Sequence, residues 1–174
     1  MKHILGPDSR STLTNVQEGD SQPNAVDLRL DKVFKILPTV FEISNEHKKH
    51  RQTEEVLPDE EGYFNLEPSS YEVVMENIIT VGRFESGWVI TRSSLNRNSC
   101  FLVSGLYDDS YGINVKTGEK VGGVMAAVLH VGVAKARIKK GTRIGQFLLF
   151  ESESLSQYDG DYGNHKSHDK KYQT

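Results

Sequence analysis

The chain reads as short apolar runs of period two, separated by turn residues. It begins to look strand-like at Ala25. "AVDLRL" (25–30) alternates apolar and polar positions, and "KVFKIL" (32–37) and "TVFEIS" (39–44) follow as two further strands. "YFNL", "YEVVM", "IITV" and "WVIT" come next at close spacing, then "FLVSGLY". Trp88 and Ile90 in "WVIT" are expected to face the core. "YGINVKTGEKVGG" (111–123) places a Thr-Gly turn between two β-capable runs and predicts a hairpin. "VMAAVLHVGV" and "RIGQFLLF" close the series. No amphipathic helix longer than two turns is predicted; a single helical turn is expected over 93–97. This pattern predicts an all-β sandwich or barrel occupying residues 1–150. Residues 45–62, mixed in charge and without period, read as an exposed loop or insertion hairpin tip. The tail 151–174 has no apolar period and is expected to be flexible unless something orders it.

Composition narrows the functional classes. The 174 residues suffice for one domain with a core, at 36% hydrophobic and 26% charged residues. The net charge of −3 supplies no global field for nucleic acid or an anionic membrane, so any bound anion must be held by a local cluster. One cysteine, Cys100, excludes an internal disulfide and a cysteine-rich zinc site. No run reaches the length of a membrane span, and the amino end lacks the apolar stretch of a signal peptide, so a cytoplasmic setting is expected.

The most distinctive chemistry begins at "TRSSLNR" (91–97). A helical turn starting at Ser93 would direct free backbone N–H groups outward, and with two hydroxyls and the guanidinium groups of Arg92 and Arg97 it would make a compact anion site. On its own the stretch reads more readily as Ser93 capping the turn with the arginines meeting surface carboxylates. Four other stretches change its meaning. "NAVDLRLDKVFKI" and "FNLEPSSYEVVMENI" precede it, and "GLYDDSYG" (105–112) and "GTRIGQFLLF" (141–150) follow. In this order and spacing the set resembles the trimeric dUTPase and dCTP deaminase superfamily. "TRSSL" looks like its phosphate motif, "GLYDDSY" like its Asp-x-x-Tyr sugar motif, and "GTRIGQ" like its closing strand.

The resemblance implies a jelly-roll-like, distorted β-barrel that forms a homotrimer with active sites at subunit interfaces. It also implies a deoxynucleoside triphosphate substrate and Mg2+ held by the triphosphate and water, with no direct protein ligand. Ser93, Ser94, Arg97 and Gln146 match phosphate-contacting positions; Arg92 matches the motif's lead-in, holding the loop or the trimer, and Arg143 belongs to the closing motif. Tyr111 would lie beneath the deoxyribose and exclude a 2′-hydroxyl. Asp108 would bond the 3′-hydroxyl, orient a water for attack on phosphorus, or both, with Asp109 as competitor. Met125 and Ala127 fall on the strand beside the sugar and base. Asp27 is either near the metal-facing side or a solvated strand residue. Tyr162, His165 or Lys166 would close on the triphosphate, or the tail is simply polar chain. His130 reads as a hydrogen-bonded structural histidine.

The superfamily hydrolyses dUTP to dUMP and diphosphate or deaminates dCTP. Deamination needs a proton-shuttling carboxylic acid at the base. Its position falls here on Ala127, or on Val128 if the register slips by one, and nothing ionisable lies in 122–129. Hydrolysis of dUTP is therefore the expected activity, with dCTP deaminase or a bifunctional enzyme as the alternative. Glu119, ten residues beyond Asp109, is the acid that a different strand pairing would bring into the pocket; "KTGEK" is turn chemistry and puts it at a hairpin tip. A non-catalytic β-sandwich binding or regulatory relative would leave Asp108 and Tyr111 as turn residues. The small chain and its irregular insertions suit a phage or viral nucleotide-pool enzyme.

Overall fold

The computed structural model describes residues 1–163 and 166–169. Twelve strands and one helical turn follow one another. They are β1 (Thr12–Leu13), β2 (Val26–Ile36), β3 (Glu42–Ile43), β4 (Lys48–Lys49), β5 (Thr53–Val56), β6 (Tyr63–Leu66), β7 (Ser69–Thr80), β8 (Glu85–Thr91), α1 (Ser93–Asn96), β9 (Cys100–Val103), β10 (Gly123–Val131), β11 (Ala136–Lys139) and β12 (Arg143–Glu151). The main sheet runs β8–β12–β2–β7–β10–β9, with β1 added to β7 and β5 to β2. Two small antiparallel pairs, β6 with β11 and β3 with β4, stand apart from it.

The two ends of this sheet meet. Thr91 on β8 accepts from the Leu102 N–H at 2.8 Å and donates back to the Leu102 carbonyl at 3.1 Å. Ser104 accepts from the Val89 N–H at 3.0 Å, and Gly87 and Tyr107 exchange backbone hydrogen bonds at 3.0 and 2.8 Å. Hydroxyl side chains thus stand in for a ladder and leave no long open edge between β8 and β9, the barrel's way of satisfying backbone groups. The interior holds Val26, Leu28 and Leu30 of β2, Val73 and Met75 of β7, Leu129 of β10 and Phe147 of β12, all nearly inaccessible.

Several sequence-level expectations change. "AVDLRL" and "KVFKIL" are one strand, β2, whose bulge between Leu30 and Lys32 breaks the alternation that suggested two. "YEVVM" and "IITV" likewise merge into β7. Of "TVFEIS" only Glu42–Ile43 pairs, in the exposed β3–β4 hairpin, and residues 53–56 of the mixed-charge stretch form β5 against β2. In "YGINVKTGEKVGG" only one bridge forms, Ile113 with Lys120. Trp88 and Ile90 do not enter the core: they are 40% and 36% exposed while Val89 is 3%. The reason is Phe147 on β12. A Cβ at Gly87 would come within 2.4 Å of the Phe147 ring, so the missing side chain at 87 lets Phe147 in and fixes 87, 89 and 91 as the inward set. Trp88 instead stacks on Phe150 outside the barrel, with centroids 4.6 Å apart.

Candidate functional site

The Asp-x-x-Tyr spacing is a β-turn. The Tyr111 N–H donates to the Asp108 carbonyl at 3.0 Å, and Ser110 between them has a left-handed φ of 69°. The turn aims both side chains at one cavity of about 770 Å3, whose far wall is β10. Val124, Ala126, Ala127 and Val128 line that wall. Tyr111 is buried; its hydroxyl donates to the Val124 carbonyl at 2.7 Å, its ring stands edge-on to Tyr107 at 5.2 Å, and burial pushes its phenol far up in pKa. Gly123 is required here, because a Cβ at that position would lie 2.1 Å from the ring.

The two adjacent aspartates part company. Asp109 is buried, 2.8 Å from the Arg83 guanidinium, and accepts from the Phe84 N–H at 2.7 Å and the Ser110 hydroxyl at 2.7 Å. Burial alone would raise its pKa, but these hydrogen bonds and the Arg83 charge overcome that and hold it below the usual carboxylate value. It is a structural pin for the turn. Asp108 is half-buried and lines the cavity.

A second polar centre lies among β2, β8 and β12. Asp27 has no exposed surface, which removes the solvated reading. Arg92 approaches it at 3.3 Å and Arg143 at 3.4 Å, and the side chains of Gln146 and Gln22 donate to it at 3.0 and 3.3 Å. Arg92 also donates to the Arg143 carbonyl at 3.2 Å and Arg143 to the Gly19 carbonyl at 2.7 Å. One buried carboxylate therefore joins three of the sequence motifs. Beside it, α1 carries Ser93 and Ser94, both exposed, and Arg97 follows, also exposed. Arg92, not Ser93, is the cap residue, and no side chain caps the turn.

These two centres hold most of the residues singled out from the sequence, but apart. None of Asp27, Arg92, Ser93, Ser94, Arg97, Arg143 or Gln146 lines the cavity of Asp108 and Tyr111. Met125 is fully buried behind the wall and does not line it either. Glu119 is exposed at the turn of the 111–123 segment, its N–H bonded to Thr117. His130 is exposed and hydrogen-bonds Ser70 at 2.8 Å. The tail returns to the cavity: the Tyr158 N–H donates to the Asp109 carbonyl at 2.8 Å, its ring lies 5.4 Å from that of Tyr111, and Tyr162 lines the opening. Lys166 points away into a 3.2 Å contact with Asp159; His165 lies outside the described residues. Sequence reasoning missed Glu72 and Arg51, which meet at 3.2 Å on the cavity's edge. Their only signal was a glutamate on the strand that pairs with β10.

A closed β-barrel whose nucleotide-sized cavity carries an Asp-x-x-Tyr turn, with a serine-arginine turn elsewhere on its surface, defines a recognised class. The chain belongs to the dCTP deaminase-like family, whose model matches residues 6–152. It is 30% identical over 157 residues to the probable deoxyuridine 5′-triphosphate nucleotidohydrolase of Halobacterium salinarum, covering 87% of this chain and 88% of that one. It is 26% identical over 155 residues to the protein of that same name from Methanopyrus kandleri, covering 88% and 94%. Among solved structures it resembles the 2′-deoxycytidine 5′-triphosphate deaminase of Agrobacterium tumefaciens, with a TM-score of 0.58 at 13% identity over 88% of this chain. It spans about half of that deaminase (46%), and at this identity the likeness speaks for the fold alone.

Proposed function

We propose that the protein is a dUTP diphosphatase, hydrolysing dUTP to dUMP and diphosphate, in sites shared between copies of the chain. The observation that carries this reading is the pairing of Asp108 and Tyr111 in one cavity whose β10 wall bears no ionisable side chain. Tyr111, fixed by its bond to Val124, is a rigid platform for a deoxyribose. Asp108 accepts a proton or a hydroxyl there: it orients a water toward the α-phosphorus, and the Pα–O–Pβ bond breaks as diphosphate leaves. The names of the Halobacterium and Methanopyrus relatives agree with this reading.

Of the cations that line this cavity, Arg51 is paired with Glu72 and Lys48 lies over the Tyr162 ring, while the serine-arginine turn that resembles the phosphate motif lies outside it. Ser93, Ser94 and Arg97 offer hydroxyls and a guanidinium at an exposed turn, and Arg92, Arg143 and Gln146 are drawn together by Asp27 just behind it. A neighbouring copy that sets this turn over the cavity completes the site, and a homotrimer closes that arrangement with three equivalent sites. The exposed Trp88 and Ile90 give such an assembly an apolar face to bury.

Among the described residues no group of three His, Cys, Asp or Glu side chains forms a metal cage. The Asp108 carboxylate in the cavity is an oxygen donor of the kind Mg2+ accepts, and an ion carried in by the triphosphate keeps several waters and takes phosphate oxygens with few protein ligands. Bound so, it would neutralise charge on the transferring phosphates. The test is to incubate the protein with Mg2+ and dUTP or dCTP and resolve products by chromatography. Diphosphate and dUMP from dUTP are expected; ammonia and dUTP from dCTP would replace this reading with deamination, and no turnover of either would leave a binding protein.

A further inference from the structure

Asp108 has a tyrosine on each side, Tyr107 directly before it and Tyr111 three residues after it. Both hydroxyls reach the same strand. Tyr111 donates to the Val124 carbonyl at 2.7 Å. Tyr107 donates to the Ala126 carbonyl at 3.0 Å and accepts from the Ala126 N–H at 3.1 Å. Burial pushes the Tyr107 phenol up in pKa, so it keeps the proton it donates. Tyr111 belongs to the Asp-x-x-Tyr pattern, whereas Tyr107 stands outside it.

These bonds fall where β10 is least supported by its neighbours. β9 pairs with it only over Val128–Val131, so Val124 and Ala126 lie beyond that ladder. On the other edge the register with β7 slips between Val124, opposite Ile78, and Ala126, opposite Val74. Val124 and Ala126 both line the cavity, so the phenols secure its wall where the ladders lapse. Asp108 depends on the same bonds. Among the described residues no hydrogen bond or ion pair holds its carboxylate, so its place is set by its backbone. That backbone follows Tyr107, whose own N–H and carbonyl exchange hydrogen bonds with Gly87 of β8 at 2.8 and 3.0 Å. Tyr107 therefore ties β8 through its backbone, and β10 through its hydroxyl, to the residue just before Asp108.

We infer that Tyr107 is a positioning residue for the reaction: its hydroxyl, bonded to Ala126, holds the Asp108 turn at a fixed place against the β10 wall, so that the carboxylate meets its water already aimed. The inference rests on the hydrolase reading above and adds a residue that acts through Asp108 without touching substrate. A carboxylate without side-chain partners of its own is sensitive to small shifts of its backbone, and a misplacement of about 1 Å is enough to cost a reaction on the order of 100-fold.

The test is a double-mutant cycle of Tyr107→Phe with Asp108→Asn, assayed on dUTP with Mg2+. Phenylalanine keeps the ring that stands edge-on to Tyr111 and Phe147 and the backbone bonds to Gly87, so the variant should fold, which a thermal melt checks. Tyr107→Phe alone should lower kcat about tenfold and move KM by less than about twofold. Added to Asp108→Asn it should cost less than about twofold in kcat, because the group it positions is already gone. The same tenfold loss in both backgrounds, or a loss that falls in KM, would make the hydroxyl a merely structural brace and overturn the inference. Amide hydrogen exchange supplies a readout without turnover: the Ala126 N–H should be protected in wild type and lose protection in Tyr107→Phe. An Ala126 amide that exchanges freely in wild type would overturn the tether even if the variant failed to fold. A wild type that hydrolyses dUTP with an unchanged kcat in Tyr107→Phe sinks only this inference. A wild type that hydrolyses nothing sinks the hydrolase reading and, with it, the role of Tyr107 in that reaction.

Discussion

The Asp108–Tyr111 cavity and the Asp27 centre are both polar sites at strand ends, yet they are built in opposite ways. In the cavity the working groups line an apolar, preformed space, and the pinning is done by neighbours: Asp109 through Arg83 and Phe84, Tyr111 through Val124. Around Asp27 the buried residue is the organiser, and Ser93, Ser94 and Arg97 stand exposed in front of it. The difference teaches how the chain divides labour. On the proposed function, one region would shape a sugar-and-base chamber within a single copy, and the other would present an anion-binding turn outward to a second copy.

The largest effect should come from the chamber. Asp108→Asn keeps the shape but removes a base, so kcat should fall about 100- to 10,000-fold with little change in KM. Equal losses in both constants would show that Asp108 only positions the sugar. Asp27→Ala should strike the other region through stability. Removing a buried partner of two arginines should cost about 2–3 kcal/mol in denaturant unfolding, less than for a fully buried pair because Arg92 and Arg143 reach solvent. An unchanged midpoint would deny Asp27 its organising role. Arg97→Ala should be milder still, raising KM for dUTP about tenfold while leaving the melting temperature alone, the loss of one charge-assisted phosphate bond at an exposed position.

The smallest expected effect separates Asp109 from Asp108. The folded protein holds the Asp109 carboxyl below its ordinary value, so the unfolded chain takes up its proton first as pH falls. The stability this contributes is complete above about pH 4 and is lost as pH drops through the depressed folded value. Thermal melts from pH 6 to pH 3 should show Asp109→Asn with a shallower acid decline than wild type. Matching slopes would mean that Asp109 does not supply the acid sensitivity.

Much of this was legible before any coordinates. Period-two runs and turn residues pointed to a β-barrel, and the ordered motifs located both polar regions. The errors have common physical causes. Trp88 and Ile90 read as core residues because large apolar side chains usually are, but the strand's facing is decided by Phe147 filling the space that Gly87 leaves on a neighbouring strand. Asp27 could not be ranked because its burial depends on Arg92, Arg143 and Gln146, all distant in sequence. Nothing ionisable lies in 122–129, as expected; Glu72 lines the cavity from the neighbouring strand, opposite Val128, where only the pairing of β7 with β10 reveals it. Local pattern gives the period of a strand; which face is inward, and what sits beside it, belong to pairing.

The most direct test of a site divided between copies is complementation. Asp108→Asn and Arg97→Ala chains are co-expressed in equal amounts and the mixed oligomers assayed at dUTP well below the wild-type KM, where each variant alone is impaired. Statistical assembly of a trimer whose sites each draw Asp108 from one copy and Arg97 from another should place both intact residues in about a quarter of the sites, and activity should rise to that share of the wild-type rate. Mixed oligomers no more active than the two variants kept apart would contradict the account.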